Sequence, residues 1–316
     1  MVIRSEFGTR SIIWIDVFIK ESAKLFNYIE NSRMKLSTFP KRLIRKFPPQ
    51  RLISRLKLWL EILGNGKGTT FKMQLGLIFS SIIDSFARTI YPPLALSPKV
   101  YVSGIICFKN YNVYFYVRRF SDDLYNVMPG REEDVNELIL KSLSEGDVFI
   151  DVGSNIGYYS ILAGKIVGEK GQIVAIEPIP DTVNVLNLNV KLNALKNIIV
   201  IPKAAWTNPS ILNIYLPEGN YGWASAVKWY GNKSFTIEAV PLDDIAKKIP
   251  AIKLLKIDVE GSEYQVLIGA KETLEKTKHI VLELSENSDE IQRMLEEAGF
   301  KIRKLKFTTY IHAYKN

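Results

Sequence analysis

The sequence predicts a doubly wound α/β domain behind a basic helical N-terminal region, and three observations predict it. After Gly146, short apolar runs alternate with segments of helical period. The first run, "DVFIDVGSNIGYYS" at 147–160, passes from an apolar strand to an acid, a glycine turn and helix formers. The chain ends on "KIRKLKF" and "TYIHAY", close enough to pair as a hairpin.

Strands are expected at 147–152, 172–177, 197–202, 253–258 and 279–284, with helices at 158–167, 181–193, 263–275 and 288–298. Such alternation builds a mostly parallel sheet through right-handed crossovers. The terminal hairpin makes it seven-stranded, with the last strand antiparallel. The section 204–250 is an insertion of short strand-like pieces, "ILNIYL" and "SFTIEAVPL", around the turn-rich "PEGNYGWAS". Ahead of Gly146, "KVYVSGIICF" and "YNVYFYVRRF" read as a hairpin joined by "KNYN", and a helix follows at 131–143.

Upstream of 100 the pattern is helical. Residues 12–28 are helical in part, and Pro48-Pro49 breaks any helix there. Leu52, Leu56, Trp59, Leu60 and Leu63 then fall on one helix face, with Arg51 and Arg55 off it. "GNGKG" reads as a hinge or loop. Leu75, Ile78, Phe79, Ile82, Phe86 and Ile90 form a second stripe that ends at Pro92-Pro93, and Asp84 can pair with Arg88. The expected organisation is a region at 1–99 and a domain at 100–316. Within the latter, 100–145 is a leading hairpin and helix and 146–316 the core.

The apolar fraction of 47% supports a sizeable core. One cysteine, Cys107, excludes an internal disulfide framework and a cysteine-based zinc site, and fits a reducing, cytoplasmic setting. No signal peptide or membrane span is readable. The net charge of +9 is uneven: residues 1–72 hold 15 Lys/Arg against 5 Asp/Glu, a balance of +10, and the rest is nearly neutral. Four readings of the basic region stay open: a helical cap with a solvated face, contact of 40–63 with an anionic membrane at its inner face, a protein or oligomer contact, and nucleic-acid binding.

In a doubly wound sheet, ligands sit at the ends of strands where the strand order reverses. Asp151 ends the first strand, and Gly153, Ser154, Asn155 and Gly157 form the turn. The spacing is neither a dinucleotide fingerprint nor a Walker loop. A carboxylate there disfavours a pyrophosphate and suits a cationic, donor-rich group such as an amino-acid ammonium. The glycines let backbone N–H groups approach such a ligand. Glu177, before Pro178 at the end of "QIVAIEP", stands where a carboxylate accepts from a ribose diol. A nucleoside joined to an amino-acid-like group has the shape of S-adenosylmethionine. Asp258 and Glu260, one residue apart in "LLKIDVEGSEYQVLIGA", point toward the same crevice. Glu260 with Ser262 could instead cap the next helix, and Glu283 could join the acids.

These stretches, with "IPKAAW", "VPLDDI" and "RRFSDDLYNVMPGREEDV", resemble FkbM-type S-adenosylmethionine-dependent methyltransferases over roughly 110–316. The resemblance implies a class I methyltransferase fold and methyl transfer to a hydroxyl of a sugar, polyketide or lipid-linked glycan. It implies that Asp151, Gly153, Asn155 and Gly157 contact the methionine end, that Glu177 holds the ribose, and that Ala204 or Ala205 lies near the adenine. Asp258 and Glu260 would face the acceptor, one of them as base. An acid common after the third strand is replaced here by Lys203-Ala204-Ala205-Trp206, which shifts adenine contacts to backbone or to Trp206. Asp258 and Glu260 could hold a metal, but carboxylates alone make a weak case, and no metal ligand is assigned. His279 and His312 are expected in structural places, and Trp223 or Trp229 either stacks on a sugar or packs over the sheet. The competing classes are a non-enzymatic module that docks through its basic arm, and a nucleic-acid methyltransferase, which the near-neutral C-terminal part disfavours.

Overall fold

The central sheet forms because five apolar runs, each flanked by helices, can be buried on both faces only by stacking in parallel. The computed structural model describes residues 49–90, 97–128, 130–216, 220–228, 234–284, 287–306 and 309–315. The expected helix at 12–28, the stop at Pro92-Pro93 and Trp229 lie outside these residues.

In chain order the elements are α1 (Pro49–Asn65), β1 (Gly66–Gly68), α2 (Phe71–Ile90), β2 (Gly104–Phe108), β3 (Val113–Val117), α3 (Asp123–Val127) and α4 (Glu133–Ser142). Then come β4 (Val148–Val152), α5 (Tyr158–Val167), β5 (Gln172–Ile176), α6 (Pro180–Leu192) and β6 (Ile198–Ile201). The insertion holds β7 (Ala204–Trp206), β8 (Ser210–Tyr215), a 3₁₀ turn at Tyr221–Trp223 and β9 (Ser234–Pro241). The chain closes with α7 (Leu242–Ala246), β10 (Ile252–Ile257), α8 (Glu263–Ile268), α9 (Lys271–Glu275), β11 (Thr277–Glu283), α10 (Ser288–Glu297), β12 (Lys301–Lys304) and β13 (Tyr310–Tyr314).

The main sheet has seven strands in the order β12-β13-β11-β10-β4-β5-β6. The pairs among β10, β11, β4, β5 and β6 are parallel, and β13 is antiparallel to both β11 and β12. This is the class I methyltransferase architecture expected from the sequence. The chain runs outward from β4 to β6 and returns to β10 on the other side of β4. The reversal therefore lies between β4 and β10, and it opens a crevice at their C-terminal ends. One face of the sheet packs on α1, α2, the leading hairpin, α4 and α5, the other on α7 to α10. The insertion forms its own three-stranded sheet, β7-β9-β8.

Three expectations need correction. "GNGKG" is neither hinge nor loop: β1 pairs antiparallel with β2 and makes a three-stranded sheet with β3. The expected helix at 263–275 is two helices, because a β-carbon at Gly269 would lie 2.0 Å from the Trp206 carbonyl oxygen and the backbones meet there. No seam falls at residue 99. Leu52–Asn316 form one unit, in which Trp59, Ile62, Met73 and Leu77 are buried in the core shared with β2 and β3. Among the described residues of the two apolar stripes, Trp59 alone is buried. Leu56 and Leu60 on α1, and Leu75, Ile78 and Ile82 on α2, are exposed, while Trp59, Ile62, Met73, Leu77 and Asp84 face inward.

Asp84 on α2 reaches across to α1, and the Arg88 side chain, its expected partner, lies outside the described residues. Asp84 accepts from Trp59 Nε1 at 2.6 Å and Arg55 Nε at 2.7 Å, with its side chain 3% exposed. Removing one partner of a buried charged pair strands the others. Asp84→Ala should therefore cost about 3–5 kcal/mol in urea denaturation. A loss under about 1 kcal/mol would mean that this clasp does not hold α1 to α2.

Candidate active site

The site starts where β4 stops. Gly153 has φ +77°, and a β-carbon there would sit 1.8 Å from the Asp258 carbonyl oxygen. Only glycine lets the ends of β4 and β10 come this close. Asp258 N donates to Val152 O at 3.1 Å and joins the two ends. The turn's N–H groups are less free than the sequence suggests. Gly153 N and Ser154 N both donate to Ile176 O, and Asn155 N donates to Glu177 Oε2 at 3.0 Å. The turn is thus moored to the end of β5 instead of presenting its amides to a ligand. Gly157, at φ +93°, lies against Leu186 and starts α5.

Glu177 is the second mooring point. Its other oxygen accepts from Ile179 N at 3.0 Å across Pro178, and burial pushes its carboxyl up to about 7 despite these donors and nearby Arg118. Ala204 packs beside Ile179, whereas Ala205 faces the core around Ile176 and Leu242, so the two alternate across β7.

Asp151 points inward and is 1% exposed. Ser160 Oγ donates to its Oδ2 at 2.7 Å, and Lys256 Nζ lies 3.4 Å from Oδ1 without making an aligned hydrogen bond. Lys256 is the register partner of Asp151 across β4 and β10, is 2% exposed, and also lies 3.2 Å from Asp258 Oδ2. Burial alone would lower its pKa, but Asp258 and Asp151 outweigh that and hold it above the usual lysine range. Asp258 is held below the usual carboxylate range: burial opposes this, but Lys256, Arg131 and a 2.7 Å hydrogen bond from Tyr310 prevail. Arg131 donates to Asn126 Oδ1 at 3.0 Å and to Glu132 Oε1 at 2.6 Å, and Tyr159 donates to the other Glu132 oxygen at 2.9 Å.

Glu260 and Glu283 differ from Asp258. Carboxylate oxygens of all three lie within 4.8 Å of one another. Burial first, then Asp258 and Glu283, push Glu260 up to about 8, against the pull of Lys228. Burial and Asp258 push Glu283 up to about 7, while Thr309 donates to it at 2.8 Å. Glu260 has φ +53°, a conformation that non-glycine residues adopt at a cost, and Ser225 Oγ holds its carbonyl at 2.9 Å. The turn into α8 is capped by neither Glu260 nor Ser262. Glu263 accepts from Val259 N at 3.2 Å and Gly261 N at 3.1 Å.

A second wall comes from the segment before the core. Asp122, buried and pushed up in pKa by burial, accepts from Tyr221 N at 2.9 Å and Gly222 N at 2.8 Å. Arg118 pairs with Asp123 and lies 3.6 Å from the Tyr221 ring centroid. The insertion turn is thereby clasped over Asn155. A β-carbon at Gly222 would meet Asp122 Oδ2 at 2.9 Å, Asn155 Nδ2 at 3.3 Å and Asn126 Nδ2 at 3.4 Å. Trp223 on this turn is 44% exposed. Among the described residues, Ser154 Oγ, Asn155 Oδ1 and Asn126 Nδ2 are buried without a hydrogen-bond partner. Unsatisfied buried groups are costly. Two acceptors and a donor, beside Glu177, fit the ammonium, carboxylate and hydroxyls of S-adenosylmethionine.

Arg118, Asp122, Asn126, Arg131, Glu132, Lys256 and Tyr310 were not singled out from the sequence. The first five lie in "RRFSDDLYNVMPGREEDV", which carried the resemblance as a stretch, and the lysine inside the apolar run "IKLLKI" was the signal for Lys256. His279 Nδ1 lies 3.2 Å from His312 Nε2, and Arg303 donates to His312 at 3.0 Å. The pair belongs to the β11–β13 edge, where burial and Arg303 push His312 down to about 4.

Residues 151–302 match the family model described as the methyltransferase FkbM domain. The chain is 29% identical over 171 residues to hexuronic acid methyltransferase AglP of Haloferax volcanii, covering 53% of this chain and 69% of that protein. It is 28% identical over 202 residues to methyltransferase sdnD of Sordaria araneosa, covering 52% and 78%. A solved S-adenosylmethionine-dependent methyltransferase from Aquifex aeolicus aligns with a TM-score of 0.36 at 18% identity, over 60% of this chain and 94% of that one.

The Lys256 charge holds two carboxylates of neighbouring strands together. Lys256→Met should destabilise the fold by about 3–5 kcal/mol in denaturant titration. Asp258 titrates below its unfolded value. Its share of stability is therefore present above the ordinary aspartate pKa of about 3.9 and is lost as pH falls through the lower folded value. In Lys256→Met that loss should begin at higher pH. An unchanged acid-unfolding midpoint would remove Lys256 from this role.

Proposed function

Residues 151–302 being a methyltransferase FkbM domain, we propose that this S-adenosylmethionine-dependent enzyme methylates a hydroxyl oxygen on a sugar, glycan, lipid-linked or polyketide-like acceptor. The observation that carries the reading is the split among three adjoining acids: Asp258 is held ionised by Lys256 and Tyr310, while Glu260 and Glu283 are pushed to about 8 and about 7. A carboxylate tuned near neutral pH can take the proton of an alcohol as that oxygen attacks. The similarity to a hexuronic acid methyltransferase supports a sugar acceptor.

Bound at the end of β4, the cofactor supplies a methyl group already activated by its sulfonium. Glu177 accepts from the ribose hydroxyls, and Asn155 Oδ1, Ser154 Oγ and Asn126 Nδ2 receive the amino-acid end. Ala204 flanks the adenine side, next to Ile179. Asp151 acts from beneath: it and Lys256 fix the turn without touching the ligand. Asp258 anchors the acceptor side, and Glu260, of higher pKa, is the base. Of the two acids expected to share that role, the ion-paired Asp258 is the poorer proton acceptor. Clasping of the Tyr221–Trp223 turn by Asp122 keeps water from the reacting oxygen.

The test is methyl-labelled cofactor with a panel of glycosides and amines. Glu260→Gln should bind S-adenosylhomocysteine as the wild type does and lose about 100- to 10,000-fold in kcat. In the wild type, kcat/KM should rise with pH through about 8, because the base must be unprotonated. Label on an amine alone, or a wild-type rate in the variant, would refute the reading.

Glu177 generates a separate outcome. Its raised pKa means that it is protonated below about 7, and only the carboxylate accepts fully from a ribose diol. S-adenosylhomocysteine affinity should therefore fall with decreasing pH below that point, by up to about tenfold per unit. Glu177→Gln should flatten the dependence in calorimetry. An equally steep dependence in the variant would assign the proton elsewhere.

A further inference from the structure

We propose that the outward faces of α1 and α2 dock this enzyme on an anionic lipid surface. The reading goes beyond methyl transfer and does not depend on the acceptor. On α2, Phe71, Leu75, Ile78 and Ile82 follow helical spacing on one side and are 80%, 49%, 42% and 52% exposed. On α1, Ile53, Leu56 and Leu60 do the same, with Leu60 69% exposed. Core packing does not need these stripes, because the opposite faces carry the buried Trp59, Ile62, Met73 and Leu77. Asp84 ties the two helices into one unit through Trp59 and Arg55.

Charge decides among occupants. From Leu52 to Ile83 the sequence has Arg55, Lys57, Lys67 and Lys72 and one acid, Glu61. Lys57, Lys67 and Lys72 are exposed, and Lys109 joins them, its Nζ donating to Gly64 O at 3.2 Å. Residues 1–72 carry a balance of +10 while the rest of the chain is nearly neutral. Apolar side chains beside cations match a headgroup layer over acyl chains, where each kind of contact adds to binding. A nucleic acid would use the cations and leave seven large apolar side chains in water. Among the described residues no helix is long and apolar enough to cross a membrane, so α1 and α2 would lie along the surface.

The test is flotation of the full chain with vesicles rich in phosphatidylglycerol and with vesicles of phosphatidylcholine alone. The expected result is binding to the anionic vesicles, weakened by salt and about tenfold or more lower on phosphatidylcholine. Leu75→Glu with Ile82→Glu should lower vesicle affinity about tenfold or more. Lys57→Glu with Lys67→Glu, which leaves the apolar stripes intact, should do so in the anionic vesicles alone. Both pairs are at exposed positions, and both should keep wild-type S-adenosylhomocysteine affinity, so failure here is separable from failure of the enzyme reading. No vesicle binding overturns the proposal, as does equal binding to both vesicle types. Binding that neither pair weakens would assign the contact to residues 1–48. A dimer that the apolar pair dissociates, with no vesicle binding, would assign the stripes to a second copy.

Discussion

The Lys256 ammonium, buried between Asp151 and Asp258, is the interaction on which the crevice depends. Two carboxylates on adjacent strand ends, both withdrawn from water, would repel each other and drive one toward protonation. A cation between them offsets that repulsion, and the register of β4 with β10 brings Lys256 opposite Asp151. Such an arrangement adds little net stability compared with an apolar core, because each charge has lost its hydration. What it supplies is a fixed geometry at the point where the strand order reverses. The glycine at 153 belongs to the same constraint, since the Asp258 carbonyl occupies the space a side chain would take.

That constraint sorts the acids. With Asp258 committed to Lys256 and Tyr310, the negative field it casts falls on Glu260 and Glu283, and at Glu260 burial and this field outweigh the pull of Lys228. Their affinity for protons rises for this reason and through burial. The buried cation anchors Asp258, while burial first and the Asp258 charge second push the next two acids upward. The left-handed backbone at Glu260, held by Ser225, keeps the middle acid where this field acts.

A second device closes the other side. The segment before α3 reaches forward by about a hundred residues in sequence to hold the Tyr221–Trp223 turn, through two backbone amides on Asp122 and the Arg118 guanidinium over Tyr221. The elements upstream of the core are thus part of the site's wall and share its hydrophobic core. The docking faces of α1 and α2 are carried on the same unit, so a lipid surface and the crevice would be held by one body.

The alternation of apolar runs and helical periods was enough to read the seven strands, their parallel course and the closing hairpin, because burying both sheet faces leaves few other arrangements. The strand-end acids Asp151, Glu177 and Asp258 and the turn glycines were legible for a similar reason: their places follow from where strands stop. The sequence by itself could not say which way a side chain looks. Periodicity found the stripes on α1 and α2 but left open what they meet, since a period reports that residues share a face and not what that face meets. It also could not pair Lys256 with Asp151, Asp122 with Gly222 or Tyr310 with Asp258, which are far apart in the chain. Those contacts, and the proton affinities that follow from them, were decided by tertiary structure, because burial and charge at a distance exist only once the strands have met.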